Sequence, residues 1–257
     1  MSHLRVGVAG ALGRLGRVAC AAVDAADDLH LTAAFARRGG ERVSDVLGFG
    51  GDARIYDDLD AFTAAGLDVV LDCTVYPITV DIARASIDAG VPVVIAATGW
   101  TDEDLVVLSD RCDEAAVPAM FVPNFSFGAV LMMRFAAQAA RVFPRAEIVE
   151  MHHDTKRDAP SGTAKLTARR IHEAGAPMPV IHSVRLPGLV AHQATMFGGT
   201  GETLTIRHDS LARESFAPGI VAAIRAVRSA QGLVIGLDGI VDRMLAASDA
   251  SPPVGTA

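Results

Sequence analysis

Short apolar runs rich in Val, Ile and Ala alternate with longer stretches of helical spacing through the first half of the chain. The runs 4–9, 29–36, 67–73, 92–97 and 119–122 read as strands, and 14–26, 78–89, 102–115 and 129–143 read as helices. Such alternation builds βαβ units, because a parallel strand pair needs a long crossover. From Ala146 the rhythm changes. A strand over 146–153, a polar turn and a helix over 163–174 lead into strands near 180–186, 190–197 and 203–208 with no helix between them, which predicts a mixed sheet and a second domain. Helical spacing returns at 213–228, and 233–245 supplies a last strand and helix. The expected architecture is α/β: a doubly wound parallel sheet, residues 1–127 completed by 214–257, plus a smaller α+β domain, residues 128–213. The tail from Ser248 has no apolar periodicity and is expected to fray.

Composition narrows the function classes. With 23 Lys and Arg against 30 Asp and Glu among 257 residues, the formal charge of −7 has the wrong sign for wrapping a phosphate backbone, so no nucleic-acid partner is expected. No apolar run approaches the roughly 20 residues that span a bilayer, and no membrane partner is expected. The start is broken by Gly7 and Gly10 and followed by Arg14 and Arg17, unlike a secretory signal. Cys20, Cys73 and Cys112 have no paired spacing, which points to a reducing cytoplasm and to no structural metal.

Two segments carry the candidate chemistry. The first, Gly10-Ala11-Leu12-Gly13-Arg14-Leu15-Gly16, follows the first strand and opens a helix, the context in which glycines admit a pyrophosphate to helix N–H groups. A tight turn with close helix-strand packing would need the same glycines without any ligand. This placement makes the first domain Rossmann-type and dinucleotide-binding. The acidic residue expected after the second strand, which would take the ribose 2′-hydroxyl, is replaced by Ala36 followed by Arg37 and Arg38. Two guanidiniums suit a 2′-phosphate, so NADPH is the expected cofactor, with NADH possible.

The second segment runs from Glu150 to Ala164 and gathers His152, His153, Lys156 and a helix start at Pro160-Ser161-Gly162-Thr163. If the strand persists to His153, the two imidazoles face opposite ways, so one can donate a proton while the other binds or orients. An imidazole, an ammonium and a helix N-terminus suit a small dianionic substrate that must be protonated.

This second string resembles the signature of the 4-hydroxy-tetrahydrodipicolinate reductase (dihydrodipicolinate reductase) family. The resemblance extends to the glycine loop, Ala97-Thr98-Gly99-Trp100, Val122-Pro123-Asn124-Phe125-Ser126 and the segments His182 to His192 and Gly201 to His208, which look closest to actinobacterial members. It implies a nicotinamide-dependent reduction of an unsaturated cyclic imine dicarboxylate, with water lost from the 4-hydroxy precursor, in the diaminopimelate route to lysine. By position, His152 would donate the proton with Lys156 as second acid or cation. His153, Lys156, Gly162 and Thr163 would hold the substrate carboxylates. Gly10, Ala11, Leu12, Gly13, Arg14 and Leu15, with Ala96, Ala97, Thr98, Val122, Pro123, Asn124 and Phe125, would contact the cofactor. The second domain would also carry self-association, as a homotetramer. Ala96-Ala97 and Cys73 depart from the family pattern, so a reductase of a related cyclic imine carboxylate and a catalytically silent NAD(P)-binding sensor are the alternatives.

Overall fold

The structure, a computed structural model, describes residues 3–249; the expected frayed tail lies, from residue 250 on, outside the described residues. Two compact units divide the chain, Met1–Phe125 with Phe216–Ala257, and Ser126–Ser215. The first begins with β1 (Leu4–Ala9), α1 (Arg14–Asp24), β2 (Leu29–Phe35), α2 (Val43–Leu47), β3 (Arg54–Tyr56), α3 (Leu59–Thr63), β4 (Val69–Asp72), α4 (Ile78–Asp88), β5 (Val93–Ile95), α5 (Asp102–Ala115) and β6 (Ala119–Phe121). The second holds α6 (Phe127–Ala139), β7 (Arg145–His152), α7 (Gly162–Glu173), β8 (Val180–Arg185), β9 (Ala191–Gly199) and β10 (Glu202–Ser210). A 3-10 turn (Arg213–Phe216) then leads to α8 (Ala217–Val227), β11 (Leu233–Ile235) and α9 (Asp238–Asp249).

The first unit is a seven-stranded parallel sheet in the order β11-β6-β5-β4-β1-β2-β3. Its central strands read as nearly unbroken apolar runs because both faces are covered: Val6, Val8, Val69, Val70, Leu71, Val93, Val94 and Ile95 are all buried. The chain lays β2 and β3 on one side of β1, then returns to place β4, β5 and β6 on the other. That reversal opens a crevice at the carboxyl ends of β1 and β4, where open α/β sheets bind ligands.

The second unit is a four-stranded mixed sheet in the order β10-β9-β7-β8, with β7 and β8 parallel and the other pairs antiparallel. One face packs Ile148 and Phe197 against Ala136 and Ala140 of the α6 end and Ala164, Ala168 and Ile171 of α7. Strand alternation turns Glu147, Val149 and Met151 to the opposite face together with their register partners Val180, His182, Met196 and Ala194. Val180 and Met196 are exposed there.

Three elements were not visible in the pattern of residues 37–66. The helices α2 and α3 span five residues each and β3 three, too short for either periodicity to declare itself. The first is closed by left-handed Gly48, and the second is capped by Asp58, whose carboxylate accepts the Ala61 N–H. Helix α6 begins two residues before its expected start because Ser126 caps it. The stretch 213–228 divides into the 3-10 turn and α8, which has a proline in its first turn. Gly128, which looks like a turn residue, lies inside α6, where a Cβ would stand 2.5 Å from the His208 ring.

Candidate active site

In the first unit the expected cofactor residues collect at the carboxyl edge of the parallel sheet. Successive strand ends are laced together by backbone bonds: Gly10 N–H to Phe35 O, Cys73 N–H to Ala9 O, Ala96 N–H to Asp72 O and Val122 N–H to Ile95 O, each 2.8–2.9 Å. This brings the loops starting at Gly10, Ala36, Cys73, Ala96 and Val122 to one rim.

The glycines of the first loop separate into three physical roles. Gly10 has φ +74° and lies so close to Cys73 that a Cβ would meet its carbonyl at 2.8 Å. A Cβ on Gly16 would stand 2.1 Å from Gly10 O, so only glycine lets α1 pack on the turn. Gly13, the N-cap of α1, is exposed, supplies no capping side chain and has only Gly10 O near its missing Cβ. The first turn of α1 contains no acid, in contrast to Asp102, Glu103 and Asp104 in the first turn of α5. The first N–H groups of the helix, those of Arg14 and Leu15 among them, thus have neither a capping side chain nor a first-turn carboxylate, the arrangement that suits an anion. These features fit a dinucleotide pyrophosphate. Ala11 is buried beneath the loop and Leu12 half-buried. Arg37 and Arg38 follow β2 on the same rim, both exposed and, among the described residues, without a salt bridge. Beyond β5, Ala97 is buried, Thr98 is exposed and Gly99 has φ +103°; beyond β6, Val122 and Phe125 are buried while Pro123 and Asn124 are half-buried.

Asp72 closes β4 fully buried, accepting from the Thr74 N–H at 2.8 Å, the Thr74 hydroxyl at 2.5 Å and the Thr79 hydroxyl. Burial pushes its carboxyl above the usual range against these bonds. It anchors the loop between β4 and α4 and was not singled out from sequence.

In the second unit the strand β7 carries Glu150 and His152 two residues apart, hence on one face. The β7–β8 register sets Arg185 beside His152 and Ser183 beside Glu150. The Glu150 carboxylate, fully buried, accepts from Arg185 Nη1 at 2.9 Å and Nη2 at 2.8 Å, from the Ser161 N–H at 3.2 Å and from His152 Nδ1 at 2.5 Å. Burial alone would raise this carboxyl, but Arg185, Ser183 and His152 outweigh it and hold it at about 2. With an ionised acceptor fixing the proton on Nδ1, the Nε2 of His152 is the position left for proton exchange. Burial is the largest influence on His152 and places its pKa below the ordinary value, against the pull of Glu150. Burial thus favours the uncharged ring over the imidazolium.

The strand ends at His152, so His153 belongs to the following turn and strand alternation does not assign its direction, contrary to the expected strand end. Its Nδ1 lies 2.8 Å from the Thr155 hydroxyl, and its carbonyl accepts the Lys156 N–H. Lys156 Nζ is held by both oxygens of Asp158, at 2.7 and 2.8 Å. Arg185 Nη2 donates to the Asp158 carbonyl at 2.8 Å, tying this turn to β8. Ser161 caps α7 by accepting the Ala164 N–H; Gly162 is the first helical residue, exposed and with open space where a Cβ would be, and Thr163 follows it half-buried. This first turn also lacks an acid. The unit thus brings His152 and Lys156 within electrostatic reach of each other and ties the start of α7 to Glu150, which together with Arg185 sequence reasoning did not name. Glu150 was legible in principle through its spacing from His152; Arg185 required the strand pairing.

The comparisons with known proteins agree with this layout. Residues 4–125 match the family described as dihydrodipicolinate reductase, N-terminus, and residues 128–241 the one described as dihydrodipicolinate reductase, C-terminus. The 4-hydroxy-tetrahydrodipicolinate reductases of Geobacillus thermodenitrificans and Mycolicibacterium vanbaalenii are 43% and 42% identical, each over 93% of this chain and 99% of the relative. A dipicolinate-bound dihydrodipicolinate reductase from Paenisporosarcina sp. TG-14 superposes with a TM-score of 0.78 at 35% identity, over 93% of this chain and 99% of that one. A probable dehydrogenase from Thermotoga maritima shares the fold, with a TM-score of 0.68 at 14% identity, over 91% and 92% of the two chains. Among the described residues no helix is long and apolar enough to cross a membrane, and no cluster of His, Cys, Asp and Glu could hold a metal ion. With the two family matches together covering 4–125 and 128–241, and relatives above 40% identity along nearly their whole length, the chain belongs to the dihydrodipicolinate reductase family.

Proposed function

We propose that the chain reduces 4-hydroxy-tetrahydrodipicolinate to tetrahydrodipicolinate with loss of water, using NADPH in preference to NADH, through residues of its own glycine loop and of the Glu150–Ser161 cluster. The observation that carries this reading is the buried Glu150 carboxylate binding His152, Arg185 and the Ser161 N–H at once, beside Lys156 and the α7 end. Loss of the 4-hydroxyl with a neighbouring ring proton, as water, gives the conjugated imine, and the nicotinamide, when bound, supplies the hydride that this imine accepts.

The chain's residues do the rest. Lys156 and the N-terminal turn of α7, at Gly162 and Thr163, hold the two carboxylates, with His153 beside them. Arrival of a dianion raises the proton affinity of His152, so the imidazole that is neutral in the free protein takes up a proton on Nε2 as substrate binds. It then delivers that proton to the ring as electron density builds there. Glu150 balances the transient imidazolium, and Arg185 keeps Glu150 ionised. Gly10 to Leu15 would hold the pyrophosphate, Arg37 and Arg38 a 2′-phosphate, and the turns at Ala96–Thr98 and Val122–Phe125 the nicotinamide.

The exposed face of the mixed sheet, with Val180, Met196 and Met151, supports self-association as a homotetramer, since single soluble chains rarely leave such a face bare. A cytoplasmic location suits the three free cysteines. The test is turnover of the freshly generated hydroxy-substrate with each cofactor, with His152→Ala and Lys156→Ala as controls. Loss of activity with retained NADPH binding is expected in both, and near-normal turnover in either removes that residue from the mechanism.

A further inference from the structure

The cation assigned to a substrate carboxylate already holds a carboxylate. Lys156 Nζ is bound by both oxygens of Asp158 at 2.7 and 2.8 Å, with the Lys156 side chain 21% and the Asp158 side chain 56% exposed. The lysine is the enclosed partner, and the aspartate approaches it from the solvent side. What fixes this stretch of chain is the Asp158 backbone, whose carbonyl accepts from Arg185 Nη2, so its carboxylate can turn away by side-chain rotation alone. Arg185 in turn is anchored by Glu150.

We propose that Asp158 is a specificity-determining residue whose carboxylate occupies Lys156 in the resting protein and is displaced from it by a carboxylate of the ligand. The inference rests on the substrate reading above. A half-exposed ion pair is weak, so an incoming carboxylate can replace it. A ligand without a carboxylate in reach of Lys156 leaves the pair closed, which selects dianions over monoanions that occupy only the α7 end.

The experiment is calorimetric binding of pyridine-2,6-dicarboxylate to the full chain, wild type against Asp158→Asn, Lys156→Met and the double variant. Asp158→Asn is expected to tighten binding roughly fivefold, the factor an exposed pair of this kind represents. In the Lys156→Met background the same change should have no effect, while NADPH affinity, read from the single tryptophan, Trp100, stays constant throughout. A carboxylate that stays on Lys156 as part of the site would instead weaken binding when removed, and weaker or unchanged binding in Asp158→Asn overturns the proposal. So does a gain that persists without Lys156. An independent reading needs no variant: burial raises the Asp158 carboxyl, Lys156 more than offsets it, and the resonance should therefore titrate below the ordinary range and move up when the dicarboxylate binds. A titration that does not move contradicts displacement. If wild-type chain binds no dicarboxylate while retaining NADPH, the substrate reading itself falls.

Discussion

Replacing Glu150 by Gln tests the centre of the site, because one change removes the charge on which two neighbours depend. The carboxylate is fully buried and held at about 2, against an ordinary 4.5. Each unit of such a shift is worth ~1.4 kcal/mol, so the ionised form is favoured in the folded state by about 3 kcal/mol. Glutamine preserves the shape but leaves Arg185, only 18% exposed, without its counter-charge, and breaking a buried pair on one side costs about 3–5 kcal/mol. A loss of about 3 kcal/mol by urea denaturation at pH 7 is expected. The sign with pH follows from the depressed value. Glu150 contributes fully above pH 4.5, and its contribution disappears as pH falls from there toward 2, so the gap between wild type and variant closes in acid. Activity carries a second signature. Glu150 raises the His152 pKa and its removal lowers it, so the fall of kcat/KM with rising pH should begin at lower pH in the variant. Equal stability at pH 7, or a pH profile that does not move, refutes the linkage of Glu150 to Arg185 and His152.

Other expectations address separate parts of the account. His152→Ala should reduce turnover by about 10²- to 10⁴-fold while NADPH still quenches Trp100 fluorescence as in wild type; a loss of quenching would mean the residue acts on the cofactor site. Gly16→Ala places a Cβ 2.1 Å from Gly10 O, so thermal denaturation should show a loss of more than about 2 kcal/mol and NADPH binding should weaken, whereas unchanged binding would show that the loop is not needed in this form. Replacing Arg37 and Arg38 together by Ala should weaken NADPH at least about tenfold and leave NADH nearly unaffected, and equal weakening of both cofactors would refute a 2′-phosphate role. Met196→Glu on the open sheet face should lower the molecular mass in solution by light scattering, and an unchanged mass would place self-association elsewhere.

The parallel sheet was readable because its strands and helices repeat the same apolar rhythm, and α5 occupies the stretch its spacing indicates. The region between β2 and β4 was not, since five-residue helices and a three-residue strand end before their periods of 3.6 and 2 residues have repeated often enough to show. The same divide runs through the site. His152, Lys156 and Gly162 stand near one another in sequence and show their chemistry by composition. Arg185 meets Glu150 only through strand pairing, from 35 residues away, and nothing local marks it. Asp158 lay in full view, yet its hold on Lys156 is a side-chain geometry that residue order does not specify. The glycine loop showed its context in sequence, while the division of labour among Gly10, Gly13 and Gly16 emerged from where a Cβ would fall.

The most direct test of the central assignment supplies hydroxy-tetrahydrodipicolinate, generated in place by its aldolase, to the purified chain with NADPH. Stoichiometric oxidation of NADPH with formation of tetrahydrodipicolinate, abolished in His152→Ala, is the predicted result. An active-site-intact chain that binds NADPH and leaves this substrate unreduced would contradict the account.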